Sequence, residues 1–260
     1  MIAGRSTHER FRLDGRIALV TGASSGLGSH FALLLAAAGA RVAIAARRAD
    51  KLGALAAEIT AGGGHAMAIA LDVTVTGSVR NCLDELASWG APDVVINNAG
   101  VTVTRPMLEQ TEADWDNVID TNLKGCWQVA TEAARRMVAA GRGGCIVNIA
   151  SILGERVAAG VAPYAISKAG VVQATRAMAL ELARWGIRVN ALLPGYVKTD
   201  LNRAFLESDA GQRLRGRIPS RRFGVATDLD GPLLLLASEA GAGMSGSIVA
   251  VDGAHLVSSL

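Results

Sequence analysis

Seven short runs rich in β-branched and other apolar residues punctuate this chain, at 17–21, 41–45, 66–71, 94–97, 145–150, 187–193 and 248–251. Between them lie longer Ala- and Leu-rich stretches of helical period, at 27–38, 51–61, 78–89, 123–140, 163–185 and 228–237. Several of the short runs are apolar at every position instead of every second one, the pattern of strands covered on both faces. Strand and helix in alternation imply a parallel sheet with right-handed crossovers. The expected fold is therefore α/β, a doubly wound parallel sheet. No composition break or Pro/Ser-rich linker divides the 260 residues, a length that suits one such domain. Residues 1–12 read as a flexible, polar N-terminal extension.

In open sheets of this kind, ligands bind beyond the carboxyl ends of the strands. The first strand runs straight into Thr21-Gly22-Ala23-Ser24-Ser25-Gly26-Leu27-Gly28 and then a helix. Gly22 permits a sharp turn, Gly26 lets backbone approach a pyrophosphate, and Gly28 lets the helix pack against the strand. Free N–H groups at the helix start then face the anion. The spacing Gly-x-x-x-Gly-x-Gly differs from the Gly-x-Gly-x-x-Gly of many dinucleotide folds. In isolation an ordinary glycine turn competes with that reading; its place after the first strand of an α/β chain favours a dinucleotide site. The fourth strand ends in Asn97-Asn98-Ala99-Gly100, where two amides can hold neighbouring strand ends and a glycine lets a flat ring lie close. Two longer excursions leave the same edge, at 152–163 and 196–224, the second reading as a substrate lid.

The fifth strand delivers the Ser151 hydroxyl to this edge. Tyr164 and Lys168 follow, four residues apart, a spacing that places two side chains on one helix face. A phenol titrates near ~10, and bringing it to about 7 takes roughly 4 kcal/mol in favour of the phenolate. A unit charge ~4 Å away supplies about that much at an effective dielectric of ~20. Chance produces Tyr-x-x-x-Lys often, so the spacing alone decides little. Asn122, a poor helix former just ahead of an amphipathic stretch, reads by itself as a helix cap.

Taken in order, Gly22/Gly26/Gly28, Asn97 to Gly100, Asn122, Ser151, Tyr164/Lys168 and Pro194-Gly195 make the chain similar to the short-chain dehydrogenases/reductases, from about Leu13 to Gly253. The resemblance implies a Rossmann-like sheet and hydride transfer between a nicotinamide dinucleotide and a carbonyl/secondary-alcohol pair. It implies that Tyr164 is the acid/base and that Lys168 lowers its pKa while binding the nicotinamide ribose. Ser151 would polarise the substrate carbonyl, and Asn122 would anchor a water that joins Lys168 to solvent. Cofactor contacts are implied for Gly22, Ser24, Ser25, Gly26, Leu27 and Gly28, for Asp72 and Val73 at the adenine, and for Asn98, Ala99 and Gly100. Pro194, Gly195, Val197 and Thr199 would hold the carboxamide and orient the ring. These roles suit the chemistry, because hydride transfer leaves charge on oxygen and a proton donor plus a second hydrogen bond must converge there. The nicotinamide carries the difficult step. Two positions depart from the family pattern: Ala254 stands where a second glycine is common, and Ile166 is bulkier than usual.

The second strand is followed by Ala46-Arg47-Arg48. No carboxylate stands at Ala46 to accept both ribose hydroxyls of NAD, whereas Arg47, with Arg48 beside it, can pair with a 2′-phosphate. NADP(H) is expected over NAD(H). With NAD(H) the same residues would suit a polyol, sugar-acid or hydroxysteroid dehydrogenase. A non-catalytic dinucleotide sensor is a reading of another class, and the complete acid/base set argues against it. The small apolar loop 157–162, with Leu201, Phe205 and Leu206 as a greasy lid, admits many ketones. Arg213, Arg215, Arg217, Arg221 and Arg222 crowd the second excursion, as a solvated face, as salt bridges within an oligomer, or as a field steering an anionic substrate. Val171, Val172, Met178, Leu180 and Leu182 put apolar residues on more than one face of the helix at 163–185, which points to a homodimer or the homotetramer common in the family.

The formal charge of +3 and a pI near 9.0, without interleaved aromatics or metal-knuckle spacing, point away from nucleic acid. Cys82, Cys126 and Cys145 are far apart and form no Cys-x-x-Cys, which fits a reducing cytoplasm and neither disulfide nor zinc. His8, His30, His65 and His255 are scattered, suggesting surface or turn positions and no metal. No apolar h-region appears in the first dozen residues. The greasiest stretch, 31–40, is too short to span a bilayer. A cytoplasmic enzyme of a small-molecule substrate, with no membrane partner, is the expectation.

Overall fold

All seven apolar runs pair into one sheet in the computed structural model, which describes residues 6–199 and 202–258. The strands are β1 (Ile17–Thr21), β2 (Arg41–Ala46), β3 (His65–Ala70), β4 (Val94–Asn97), β5 (Gly144–Ile149), β6 (Ile187–Pro194) and β7 (Ile248–Val251). They stand in the order β3-β2-β1-β4-β5-β6-β7, every pair parallel. The chain winds outward from β1 in one direction and from β4 in the other, so the order reverses between these two strands. Leu201, named above as a lid residue, lies outside the described residues.

Helices cover both faces. Along β1, Ala18 and Val20 pack to one side and Ile17 and Leu19 to the other, as the two-residue period of a strand requires. The first side meets Phe31 and Leu35 of α2 (Gly26–Ala37), Leu52, Leu55 and Ile59 of α3 (Ala49–Ala61) and Leu233 and Leu236 of α10 (Asp230–Ala237). The second meets α4 (Thr76–Leu86), α6 (Gly125–Ala139) and Ala179 of α7 (Ala162–Leu182). Strands buried on both faces have no reason to alternate, hence their unbroken apolar runs. Among the described residues no helix is long and apolar enough to cross a membrane.

Three segments differ from the sequence reading. The N-terminal stretch carries local structure from Ser6 onward, where a capping box with Glu9 starts the one-turn α1 (Thr7–Arg10). The Arg10 guanidinium then reaches the Glu239 carbonyl at 3.2 Å. A helix that the sequence reading passed over, α5 (Glu112–Ile119), starts at Thr111, whose hydroxyl and backbone trade hydrogen bonds with Asp114. The second excursion folds into α8 (Arg203–Glu207) and α9 (Asp209–Arg217), with Leu206, Ile218 and Phe223 as a small core of their own.

At the amino edge of the sheet, Asp93 ties β1 to β4. Its buried carboxylate accepts from the Ile17 amide at 2.8 Å and from Arg16 and Arg142 at 3.3 and 2.5 Å. Asp93→Ala would leave the Ile17 N–H buried and unpaired, at a cost of about 1–3 kcal/mol. A matching fall in the urea unfolding midpoint is expected; an unchanged midpoint would show that the tie carries no stability.

Candidate active site

The carboxyl ends of β1 and β4 meet where the strand order reverses, and a hydroxyl clasps them. Thr21 Oγ1 accepts from the backbone amides of Asn98 and Ala99, both at 3.1 Å. The Asn98 side-chain amide answers by donating to the carbonyls of Thr21 (3.0 Å) and Gly22 (3.3 Å). Gly22 has φ +66°, and a Cβ there would lie 2.8 Å from Ala99 Cα. At Gly28 a Cβ would stand 2.3 Å from the Gly22 carbonyl oxygen. These two glycines serve contacts within the protein. Gly26 differs: with φ +59°, a Cβ would meet nothing nearer than Thr199 Cγ2 at 3.8 Å, so its open side faces the cleft.

Ser25 sits at the N-cap of α2 without making a cap bond. Its hydroxyl instead accepts from Arg48 Nη2 at 2.7 Å, and Ser24 accepts from the same nitrogen at 2.8 Å. The first amides of α2 are thus left for an anion. The turn suits a dinucleotide pyrophosphate, with Leu27 following Gly26 into the helix. The cation closing over it is Arg48. Arg47 makes no hydrogen bond among the described residues and lies exposed within electrostatic reach of Asp72. Asp72 is held below the usual carboxylate range, chiefly by hydrogen bonds from Thr74. Val73 packs against Gly125, where a Cβ would come within 2.7 Å of it.

Asn122 does not cap a helix. It lies in the π-helical turn Asp120–Lys124 that joins α5 to α6, because the helical path has already begun at Thr111. Buried there, its Oδ1 accepts from the Val101 amide (2.7 Å), and its Nδ2 donates to the Val101 carbonyl (2.9 Å) and to Ser167 Oγ (3.0 Å). Gly100 borders the same gap: a Cβ on it would lie 3.3 Å from Asn122 Oδ1 and 3.6 Å from Lys168 Nζ.

Ser151 leaves β5 and caps the short turn that follows, accepting from the Leu153 amide at 3.1 Å. Its hydroxyl also favours the Tyr164 phenolate. The expected lowering of the Tyr164 pKa by Lys168 is not found. Burial raises Tyr164 above the ordinary phenol value, outweighing the opposing effect of Ser151, and Tyr196 adds to the rise. The Lys168 ammonium is buried, 5.6 Å from the centre of the Tyr164 ring, and donates to the Ile149 carbonyl at 2.8 Å. Burial lowers its own pKa to about 8. Both charged forms lose water, and the ammonium is turned toward a carbonyl.

The opposite wall begins where β6 ends in Pro194. The Gly195 amide donates to the Val251 carbonyl at 3.0 Å, and Val197 bridges Gly224. Thr199 lies over Gly26, its amide held by Asn202 Oδ1 at 2.9 Å. Tyr196, Arg156 and His255 gather here, and the sequence reading passed over this grouping. His255 is neither on the surface nor in a free turn: it is 6% exposed, and its ring centre lies 5.8 Å from that of Tyr196. His30 is half-buried against Asp230 at 2.6 Å. A sequence signal for Tyr196 did exist, since the chain has only two tyrosines and this one directly follows Pro194-Gly195. The arginine cluster is partly committed: Arg222 grips Asp228 at 2.6 and 3.0 Å, and Arg221 donates to the Gly216 carbonyl. No group of His, Cys, Asp and Glu among the described residues could hold a metal.

This geometry has close counterparts. The family model for short chain dehydrogenase matches residues 16–210. The chain is 39% identical over 238 residues to a 3-oxoacyl-(acyl-carrier-protein) reductase of Staphylococcus epidermidis, covering 91% of this chain and 97% of that one. It is 37% identical over 249 residues to the 2-dehydro-3-deoxy-D-gluconate 5-dehydrogenase of Escherichia coli, covering 95% and 97%. Among solved structures, a gluconate 5-dehydrogenase from Burkholderia cenocepacia, in complex with NADP and tartrate, superposes with a TM-score of 0.94 at 38% identity, covering 98% of this chain and 100% of that one. Its relatives are oxidoreductases of CH–OH and C=O groups that use nicotinamide cofactors, and so is this enzyme. The chain belongs to the short-chain dehydrogenase family.

Proposed function

We propose that the enzyme is an NADP(H)-dependent oxidoreductase that interconverts a ketone and a secondary alcohol, with Tyr164 as acid/base. The observation that carries this reading is the placing of Ser151, just past β5, beside the buried Tyr164, whose phenolate it favours, with the Lys168 ammonium 5.6 Å from the centre of that ring. Two hydroxyls converge there on one substrate oxygen, Tyr164 to give or take the proton and Ser151 to polarise the carbonyl. The bound nicotinamide would supply or accept the hydride. Ser24, Ser25, Gly26 and Leu27 cradle the pyrophosphate in this reading, in a turn whose shape Gly22 and Gly28 allow. Asp72 and Val73 border the adenine, and Asn98, Ala99 and Gly100 run along the cofactor. Pro194, Gly195, Val197 and Thr199 hold the carboxamide. Lys168 binds the ribose, and Asn122, across the gap beside Gly100, holds the water that links Lys168 to solvent. Residues 196–224 act as the lid.

The raised Tyr164 pKa keeps the phenol protonated through neutral pH, the form that reduction needs. Lys168, titrating at about 8, is charged below that pH and neutral above it. The kcat/KM for reduction is therefore expected to be level below about 8 and to fall above it, whereas that for oxidation rises toward alkaline pH as the phenol ionises. Tyr164→Phe should lower turnover about 10²–10⁴-fold while the dinucleotide still binds. Near-normal turnover in the folded variant would remove Tyr164 from the chemistry.

Cofactor choice follows from charge at the end of β2. No carboxylate stands at Ala46, and two arginines flank the ribose end of the turn. Arg48, already bent over Ser24 and Ser25, is placed to meet a 2′-phosphate, with Arg47 on the Asp72 side. Wild type should favour NADPH over NADH in kcat/KM. Arg48→Ala should cost about tenfold or more with NADPH, the worth of a charge-assisted bond, and little with NADH. A wild type that prefers NADH would contradict the assignment.

Assembly belongs to the same reading. On α7, Val171 and Val172 are buried within the protomer, while Ile166 and Leu180 are exposed, as are Trp115 and Trp127 on α5 and α6. Such apolar residues favour a homotetramer or homodimer of a cytoplasmic enzyme. Sedimentation at micromolar concentration should show it; a monomer alone would exclude it.

A further inference from the structure

Arg156 stands five residues beyond Ser151, half-buried and within electrostatic reach of Tyr196, which follows Pro194-Gly195. Its Nη1 is anchored on the C-terminal segment, donating to the His255 carbonyl and to Ser258 Oγ at 3.3 Å. Its Nε and Nη2 donate to nothing among the described residues, and it has no ion-pair partner there. Those two nitrogens form the side-on fork of a guanidinium, the edge that matches a carboxylate in bidentate fashion. Arg12 uses the same edge in this protein, holding Asp14 through Nε at 3.0 Å and Nη2 at 2.5 Å.

Neither nearby carboxylate bonds Arg156. Glu155 faces Arg176 at 3.6 Å. Asp252 accepts from the amides of Ala254 (2.9 Å) and Leu256 (2.6 Å). Arg217 adds a second positive charge within reach of His255, whose buried Nδ1 has no hydrogen-bond partner. Tyr196 lies between this corner and the acid/base, within electrostatic reach of both Arg156 and Tyr164. A guanidinium edge with no ion-pair partner among the described residues is open to an anionic ligand.

We propose that Arg156, with Tyr196 beside it, binds a carboxylate carried by the substrate, so that the enzyme acts on hydroxy and oxo acids. The positive charge that reads the substrate is thus assigned to the loop after Ser151, and the α9 arginines, with Arg222 and Arg221 committed elsewhere, are left to the surface. His255 is a positioning residue: its carbonyl fixes Arg156 and its ring seats Tyr196. The inference rests on the carbonyl/alcohol reading of the site.

The test compares aldonates of four to six carbons with alditols of the same lengths, each with NADP⁺ and NAD⁺, in wild type, Arg156→Gln and Arg156→Lys. Wild type should favour the aldonates in kcat/KM by about tenfold to a hundredfold, the worth of a charge-assisted bond. Arg156→Gln should collapse that ratio through KM for the acid, and Arg156→Lys should restore part of it. A merely structural role would lower both substrates together and leave the ratio standing. Equal use of the two classes by wild type, or an unchanged ratio in Arg156→Gln, overturns the proposal. If neither class is turned over with either cofactor, the oxidoreductase reading fails for these substrates, and calorimetric titration with D-gluconate decides the carboxylate site separately. Binding in wild type that is lost in Arg156→Gln and kept in Arg156→Lys upholds it; equal or absent binding overturns it.

Discussion

The clasp between the carboxyl ends of β1 and β4 is the contact on which the rest of the site depends. Thr21 offers one hydroxyl oxygen to two amides, and Asn98 returns two bonds to the glycine turn. That exchange brings the backbone at Gly22 so close to Ala99 that no side chain fits, and it forces a second glycine at position 28. With the turn fixed, α2 must start where it does, and its uncapped amides face the cleft. A parallel sheet alone would not achieve this. Crossing from one winding direction to the other opens a crevice, and polar side chains at the two strand ends give the crevice a defined floor.

Burial sets the chemistry on that floor. Tyr164 and Lys168 share a helix face, as their spacing demands, yet the simple picture of an ammonium pulling down a phenol fails here. Its premise was two charges paired in a medium of moderate dielectric. In the fold both groups lose water, the Lys168 ammonium spends its hydrogen bond on the Ile149 carbonyl, and only the Ser151 hydroxyl favours the phenolate. The result is a phenol that keeps its proton beside a lysine that gives up its charge near pH 8. Desolvation, as much as any ion pair, sets the protonation of the two groups.

What the sequence disclosed has a physical pattern. The five inner strands were legible because burial on both faces writes an unbroken apolar run; the edge strands β3 and β7, half-exposed, were legible from their apolar residues alone, and the glycine turn because backbone conformation restricts residue choice. Asn122 was misread in isolation because α5 ahead of it is short and polar-faced; without the capping box at Thr111 in view, a cap at Asn122 was the natural reading. His255 and Arg156 were illegible for a different reason. They are about a hundred residues apart and meet through a backbone carbonyl and a hydroxyl, contacts that leave no mark on residue type. Arg47 and Arg48 could be seen as a pair, but which one bends over the turn depends on the start of α3 at Ala49.

The distribution of arginine partners separates the two edges of the sheet. At the amino edge, Arg16 and Arg142 converge on the buried Asp93, and Arg188 donates to the carbonyls of Leu236, Ser238 and Met244. Those guanidiniums are consumed in holding strand starts together. At the carboxyl edge, Arg48 leans on two serine hydroxyls and Arg156 on a carbonyl and a hydroxyl, neutral partners that leave each positive charge uncancelled. Neutral partners fix the direction of a guanidinium without quenching its field, so these cations arrive pre-oriented for an anion, and little ordering is left to accomplish on binding.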